Sequence, residues 1–162
     1  VSQGFRGEAS LGGIQSLVEL KEFREVKERK GCILVVDDDE VTRRAFGDTL
    51  EYHGYRALIT ENGEQALQAL QDNADEISLV ILDLFMPDMS GREVYQQISR
   101  LRPDMKVLIS SGYPLDSDIQ QLLTGDRVDF IGKPFKVEEF LSKIRSISDE
   151  TGGIGQPREK KP

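Results

Sequence analysis

Four carboxylates stand in a row at Asp37, Asp38, Asp39 and Glu40, directly after the apolar run 32–36. Another, Asp83, follows the apolar run 77–82. If both runs are neighbouring strands, three or four of these acids converge at one edge. Like charges that close destabilise the site unless a cation joins them. Oxygen ligands with no His or thiolate nearby select a hard ion, Mg²⁺ or Mn²⁺, over zinc or copper. The only His is His53 and the only Cys is Cys32, which leaves neither a His-rich zinc site nor an internal disulfide. Acids at 37–40 would also serve as a helix N-cap and complement the positive helix end. Asp83 at a second strand end is what raises the metal reading above that one.

The opposite sign comes from Lys133, just past the apolar stretch 128–131 and just before Pro134. A lysine there can reach a phosphoryl oxygen while its stem packs on the crevice wall. The Lys133–Pro134 bond is a candidate cis peptide, although cis is the minority state for such bonds. Ser110, Ser111 and Gly112 end another apolar run. A hydroxyl there can donate to a phosphoryl oxygen and the glycine permits close backbone approach; a simple turn would use the same residues.

The elements that must position these groups follow from periodicity. Short apolar runs predict strands over 32–36, 55–59, 77–82, 107–110 and 128–131. Three- to four-residue apolar spacing predicts helices over 41–52, 64–74, 91–101, 115–123 and 136–147. Val41, Ala45, Phe46, Thr49 and Leu50 form the expected inner face of the first, and Val137, Phe140, Leu141, Ile144 and Ile147 that of the last. Alternating strands and helices imply right-handed crossovers and a doubly wound α/β domain: five parallel strands with helices on both faces. Such a sheet places its ligand crevice at the carboxyl ends of the strands, near a switch in strand order. The order 2-1-3-4-5 is an inference from fold class. A further amphipathic helix is expected over 14–29, as a linker lying on the domain or as a signalling helix that couples to a neighbour or a second copy.

The stretch 31–148 resembles the response-regulator receiver domain of two-component signalling. The resemblance rests on ILVVDDDE at 33–40, VILDLFMPDMSG at 80–91, VLISSGY at 107–113 and DFIGKPF at 129–135. It implies a flavodoxin-like fold that takes a phosphoryl group on Asp83. By the same resemblance Asp38 is a direct Mg²⁺ ligand, Asp37 acts through water, and the backbone carbonyl of Phe85 completes the protein ligands. Ser111, rather than Ser110, matches the phosphoryl-sensing hydroxyl, Lys133 the phosphoryl-binding lysine and Phe130 the aromatic switch; Asp39 is less often a ligand. Met86-Pro87 and Gly91 fit the loop that shapes the third helix. The chain departs from the family pattern at Phe85, which cannot orient a water, and at Gly132, which replaces a branched apolar residue. Tyr113 is common in receivers attached to hybrid kinases and is expected on the rim opposite Phe85.

The implied partner is a sensor histidine kinase or a histidine phosphotransfer domain, with a homodimer as a further candidate. Net charge is −8 and no long basic block occurs, which argues against direct nucleic-acid binding by these 162 residues. No apolar stretch is long enough for membrane insertion, and there is no signal-peptide core, so a cytoplasmic setting is expected. The expected organisation is a flexible N-terminus and linker helix at 1–30, the receiver at 31–148 and a disordered tail at 149–162. The start at Val1 suggests a piece of a larger protein, a hybrid kinase or a regulator with a distant output domain. Transfer and dephosphorylation would be self-catalysed, and no glycine-rich nucleotide cradle is present. Two other classes compete: a pseudo-receiver used only for interaction or dimerisation, and a Mg²⁺-dependent aspartyl phosphatase. The second would want Asp-x-Asp on the first strand and a cap region, and neither is evident.

Overall fold

The computed structural model describes residues 30–114 and 116–149. The helix expected over 14–29 and the tail beyond 149 lie outside them. The order is β1 (Cys32–Val36), α1 (Glu40–Tyr52), β2 (Arg56–Thr60), α2 (Gly63–Asp72), β3 (Ile77–Asp83), α3 (Gly91–Leu101), β4 (Lys106–Ser111), α4 (Ser117–Leu122), β5 (Val128–Gly132) and α5 (Val137–Asp149). The strands form one parallel sheet in the order β2-β1-β3-β4-β5. The expected fold class and strand order hold.

Side-chain alternation along the central strands divides the core in two. Leu34, Val36, Val80, Leu82, Val107 and Ile109 face α2, α3 and α4, against Ala66, Leu70, Val94, Ile98 and Ile119. Ile33, Val35, Leu79, Ile81, Leu108 and Ile131 face α1 and α5, against Phe46, Leu50, Phe140, Leu141, Ile144 and Ile147. Phe46, Phe135 and Phe140 cluster there with ring centroids 4.9–5.4 Å apart. Burial on both faces is why these strands read as solid apolar runs.

Three expected core positions are not core. Val41 is 77 % exposed, and Ala45 and Val137 are also exposed. Val41 and Val137 sit in the first turns of helices that begin beyond the strand ends, so the sheet is not beneath them. Gly47 takes the buried place on α1, because a Cβ there would lie 2.7 Å from Ile59 Cδ1. The fourth helix is a short segment, 117–122, narrower than the expected 115–123.

Register makes the site. Val36 pairs with Leu82, so Asp37 and Asp83 leave the sheet side by side. Asp83 pairs with Ser110, and Ser111 with Gly132. From β1 the chain crosses to one side of the sheet and from β3 to the other, which opens a crevice between their carboxyl ends. Gly91 closes the β3–α3 loop against that edge. A Cβ on it would lie 2.1 Å from the Asp83 carbonyl oxygen and 2.5 Å from Leu84 Cα. Among the described residues no helix is long and apolar enough to cross a membrane.

Candidate functional site

Asp37 is 1 % exposed at the end of β1, Asp83 is buried at the end of β3, and Asp38 is open to solvent. Each turns a carboxylate oxygen to a common point, and the three oxygens lie within 4.8 Å of one another. The donors are all hard oxygen, with no nitrogen or sulfur among them, and they fit Mg²⁺ in chemistry and number. One open carboxylate leaves solvent access for the waters that Mg²⁺ keeps.

Asp39 does something else. Its Oδ1 accepts the Thr42 N–H at 2.7 Å as the N-cap of α1, and that bond holds its carboxyl below the usual range. The N-cap reading of this acidic run therefore holds for Asp39, while its two neighbours join Asp83 in the carboxylate cluster that could hold a metal ion. The Asp39 N–H in turn donates to Asp37 Oδ1 at 2.9 Å.

Lys133 reaches in from the end of β5. Its Nζ donates to Asp37 Oδ2 at 2.7 Å and stands 3.6 Å from Asp83 Oδ2. Its backbone N–H donates to the Ser111 carbonyl at 2.7 Å, and the Lys133–Pro134 peptide is cis. Burial pushes the Asp83 carboxyl above its ordinary pKa, against the bond it accepts from the Phe85 N–H at 3.1 Å and the nearby lysine. A desolvated carboxylate beside a cation is a less hydrated and more available nucleophile than one in water.

Both serines at the end of β4 are fully buried. Ser111 Oγ accepts the Tyr113 N–H at 3.1 Å, which leaves its own proton to give. Among the described residues, Ser110 Oγ is the buried side-chain oxygen with no hydrogen-bond partner. Ile109 pairs with Phe130, so alternation puts Ser111 and Phe130 on the same sheet face, where Phe130 is half-buried against the core. At the rim Phe85 is 50 % and Tyr113 61 % exposed, and their rings meet with centroids 4.3 Å apart. They form one aromatic patch, not two opposed walls. Arg43, passed over in the sequence, donates to the carbonyls of both Asp37 and Asp38. The only local signal for it was a cation in the first turn of a helix.

Residues 33–145 match the family model of the response regulator receiver domain. The chain belongs to the response regulator receiver family. A Bacillus subtilis relative described as an uncharacterised transcriptional regulatory protein, YkoG, is 33 % identical over 76 % of this chain and 53 % of its own. The response regulator MprA of a Mycobacterium species is 31 % identical over 74 % of this chain and 51 % of its own. The chain thus spans about half the length of these relatives. Among solved structures, a CheY-like receiver from Methanospirillum hungatei superposes with a TM-score of 0.66 at 30 % identity, covering 74 % of this chain and 94 % of that one. The response regulator TrrA from Thermotoga maritima, solved in complex with Mg²⁺-BeF, superposes at 0.62 with 31 % identity over 72 % and 98 %. The receiver's carboxylates Asp37, Asp38 and Asp83 fit Mg²⁺-dependent phosphoacceptor chemistry.

Proposed function

We propose that this receiver accepts a phosphoryl group on Asp83 from a phosphohistidine of a partner protein and relays the change to its α4–β5–α5 face. The observation that carries it is the position of Lys133 Nζ, shared between Asp37 and Asp83 at the mouth of a buried oxygen site. An Asp83 oxygen attacks phosphorus, the O–P bond forms, the P–N bond breaks, and the histidine nitrogen leaves to be reprotonated by solvent. Bound Mg²⁺ supplies neutralisation of the phosphoryl oxygens. Asp38 would hold it directly, Asp37 through water and Phe85 through its carbonyl, while Lys133 would leave Asp37 to take a phosphoryl oxygen. Catalysis here is positioning and charge, as in phosphoryl transfer generally.

Ser111 then turns its free proton to the phosphoryl group, and Phe130, on the same face, moves into the space released. The donor is a sensor histidine kinase or histidine phosphotransfer domain in the cytoplasm, and a second copy of the chain is a candidate output partner. The proposed receiver spans 31–148, and the family match over 33–145 supports its core. Intact mass after acetyl phosphate with Mg²⁺ tests the acceptor. One phosphoryl adduct is expected, absent in Asp83→Asn; an adduct that persists in that variant removes Asp83 from the role, and no adduct in the parent favours a pseudo-receiver.

A further inference from the structure

Arg43 occupies a place that elementary electrostatics disfavours. It is the fourth residue of α1, in the first turn, where the helix end is positive and acids are preferred. Its side chain is nevertheless 14 % exposed and well ordered by contacts. Nη1 donates to the Asp37 carbonyl at 2.8 Å and to the Asp38 carbonyl at 2.7 Å. One nitrogen carries two N–H bonds, and each acid residue receives one. Nη2 faces Glu61 at 3.7 Å, an exposed residue in the loop after β2, and so long a contact is worth little by itself.

These two carbonyls belong to the residues that carry the buried and the open carboxylate. Among the described residues, Arg43 is what ties the Asp38 backbone: Asp37 N–H bonds to the Thr60 carbonyl and Asp39 N–H to Asp37 Oδ1. A planar guanidinium sets the spacing and direction of its acceptors in a way that a lysine ammonium does not. We infer that Arg43 is a positioning residue for the metal site: it clamps the Asp37–Asp38 turn so that both carboxylates are aimed before the ion arrives. This rests on the Mg²⁺ reading of the carboxylate trio.

Two effects of Arg43 on Mg²⁺ have opposite signs. Its positive charge, close to the site, repels the cation. Its clamp removes the cost of ordering the turn on binding. Supports one layer behind metal ligands are commonly worth ten- to a hundredfold in affinity, whereas the Arg43 charge is partly offset by Glu61, 3.7 Å from Nη2. The clamp therefore outweighs the repulsion.

The test is a Mg²⁺ titration of the ¹⁵N-labelled chain, followed by amide shifts, for the parent, Arg43→Lys and Arg43→Met, well below each melting temperature. Lys keeps the charge and loses the fork; Met loses both and keeps the stem. Both are expected to bind Mg²⁺ about tenfold more weakly. A role in folding alone would lower the melting temperature and leave the affinity of the folded protein unchanged. Unchanged affinity in Arg43→Lys, or tighter binding in Arg43→Met, overturns the inference while the metal reading stands. A parent whose shifts ignore Mg²⁺, like an Asp38→Ala control, overturns that reading and the role of Arg43 with it.

Discussion

Lys133 is hydrogen-bonded to Asp37 and only ion-paired with Asp83: its ammonium lies 2.7 Å from one carboxylate and 3.6 Å from the other. The residue expected to hold a phosphoryl oxygen is held, in the unmodified protein, by the most buried acid of the site. Transfer requires it to release Asp37 and take a phosphoryl oxygen. Lys133→Met keeps the stem and removes the charge. The initial rate of adduct formation with acetyl phosphate is expected to fall about a hundredfold, the usual cost of losing one charge-stabilising donor. A rate within a factor of a few of the parent removes Lys133 from the transfer step.

Burial raises the Asp83 carboxyl pKa, so the folded state holds that proton more tightly than the unfolded chain does. Its neutral form is favoured by the fold. That contribution is complete below the ordinary carboxylate range, about 3.9, and is lost as pH rises through the raised value. Asp83→Asn should therefore melt higher than the parent at pH 7, and the gap should close as pH falls toward the ordinary range. Melting curves of both proteins between pH 4 and 7, without Mg²⁺, give the comparison. A gap that widens toward acid would contradict the sign.

Asp38 adds a third negative charge to two that already share one lysine. Without Mg²⁺, Asp38→Ala is expected to raise the melting temperature by about 2 °C, the size that a few tenths of a kcal/mol produces in a domain of this length. Since Asp38 is exposed, the gain should disappear in about 1 M salt. With Mg²⁺ the order reverses, because the variant lacks the direct ligand. Equal melting of parent and variant at low salt would show that Lys133 already balances the site.

The contacting, tilted rings of Phe85 and Tyr113 bear on phosphoryl lifetime. Hydrolysis needs a water in line behind phosphorus, and its catalysis is mostly positioning. A phenyl ring at the rim offers no acceptor for that water and takes its room. Phe85→Ala and Phe85→Asn are both expected to shorten the half-life of the phosphorylated protein several-fold at fixed Mg²⁺. Because the rings touch, Tyr113→Ala and the double variant should be non-additive with Phe85→Ala. Acceleration by Asn alone would mean that a missing polar group, not bulk, sets the lifetime. No acceleration by either variant ends the shielding argument.

Much of the architecture was legible because its causes are local. A strand buried on both faces must be apolar throughout, so five short runs were visible, and β1, β3 and β5 met the structure within a residue or two. The end of such a run is where a charged group can first appear. Asp37, Asp38, Asp83 and Lys133 therefore announced themselves by type and position, and their hard-oxygen donor set named the class of ion.

What lay beyond the sequence depends on how separate elements meet. The pairing of Lys133 with Asp37 spans 96 positions and needs the strand order and register that place β1, β3 and β5 at one edge. Apolar spacing put Val41 and Val137 inward, but spacing reports only which side of a helix a residue is on. Whether the sheet lies beneath that turn is set by where the strand ends. Phe85 and Tyr113 belong to different loops, and only packing brought their rings together. Arg43 drew no expectation from the sequence, because only the folded β1–α1 turn brings two carbonyls into its reach. Sequence periodicity carries the direction of each side chain about its own axis; distances between axes come from the sum of all packing contacts, and those distances decide which of the aligned groups touch.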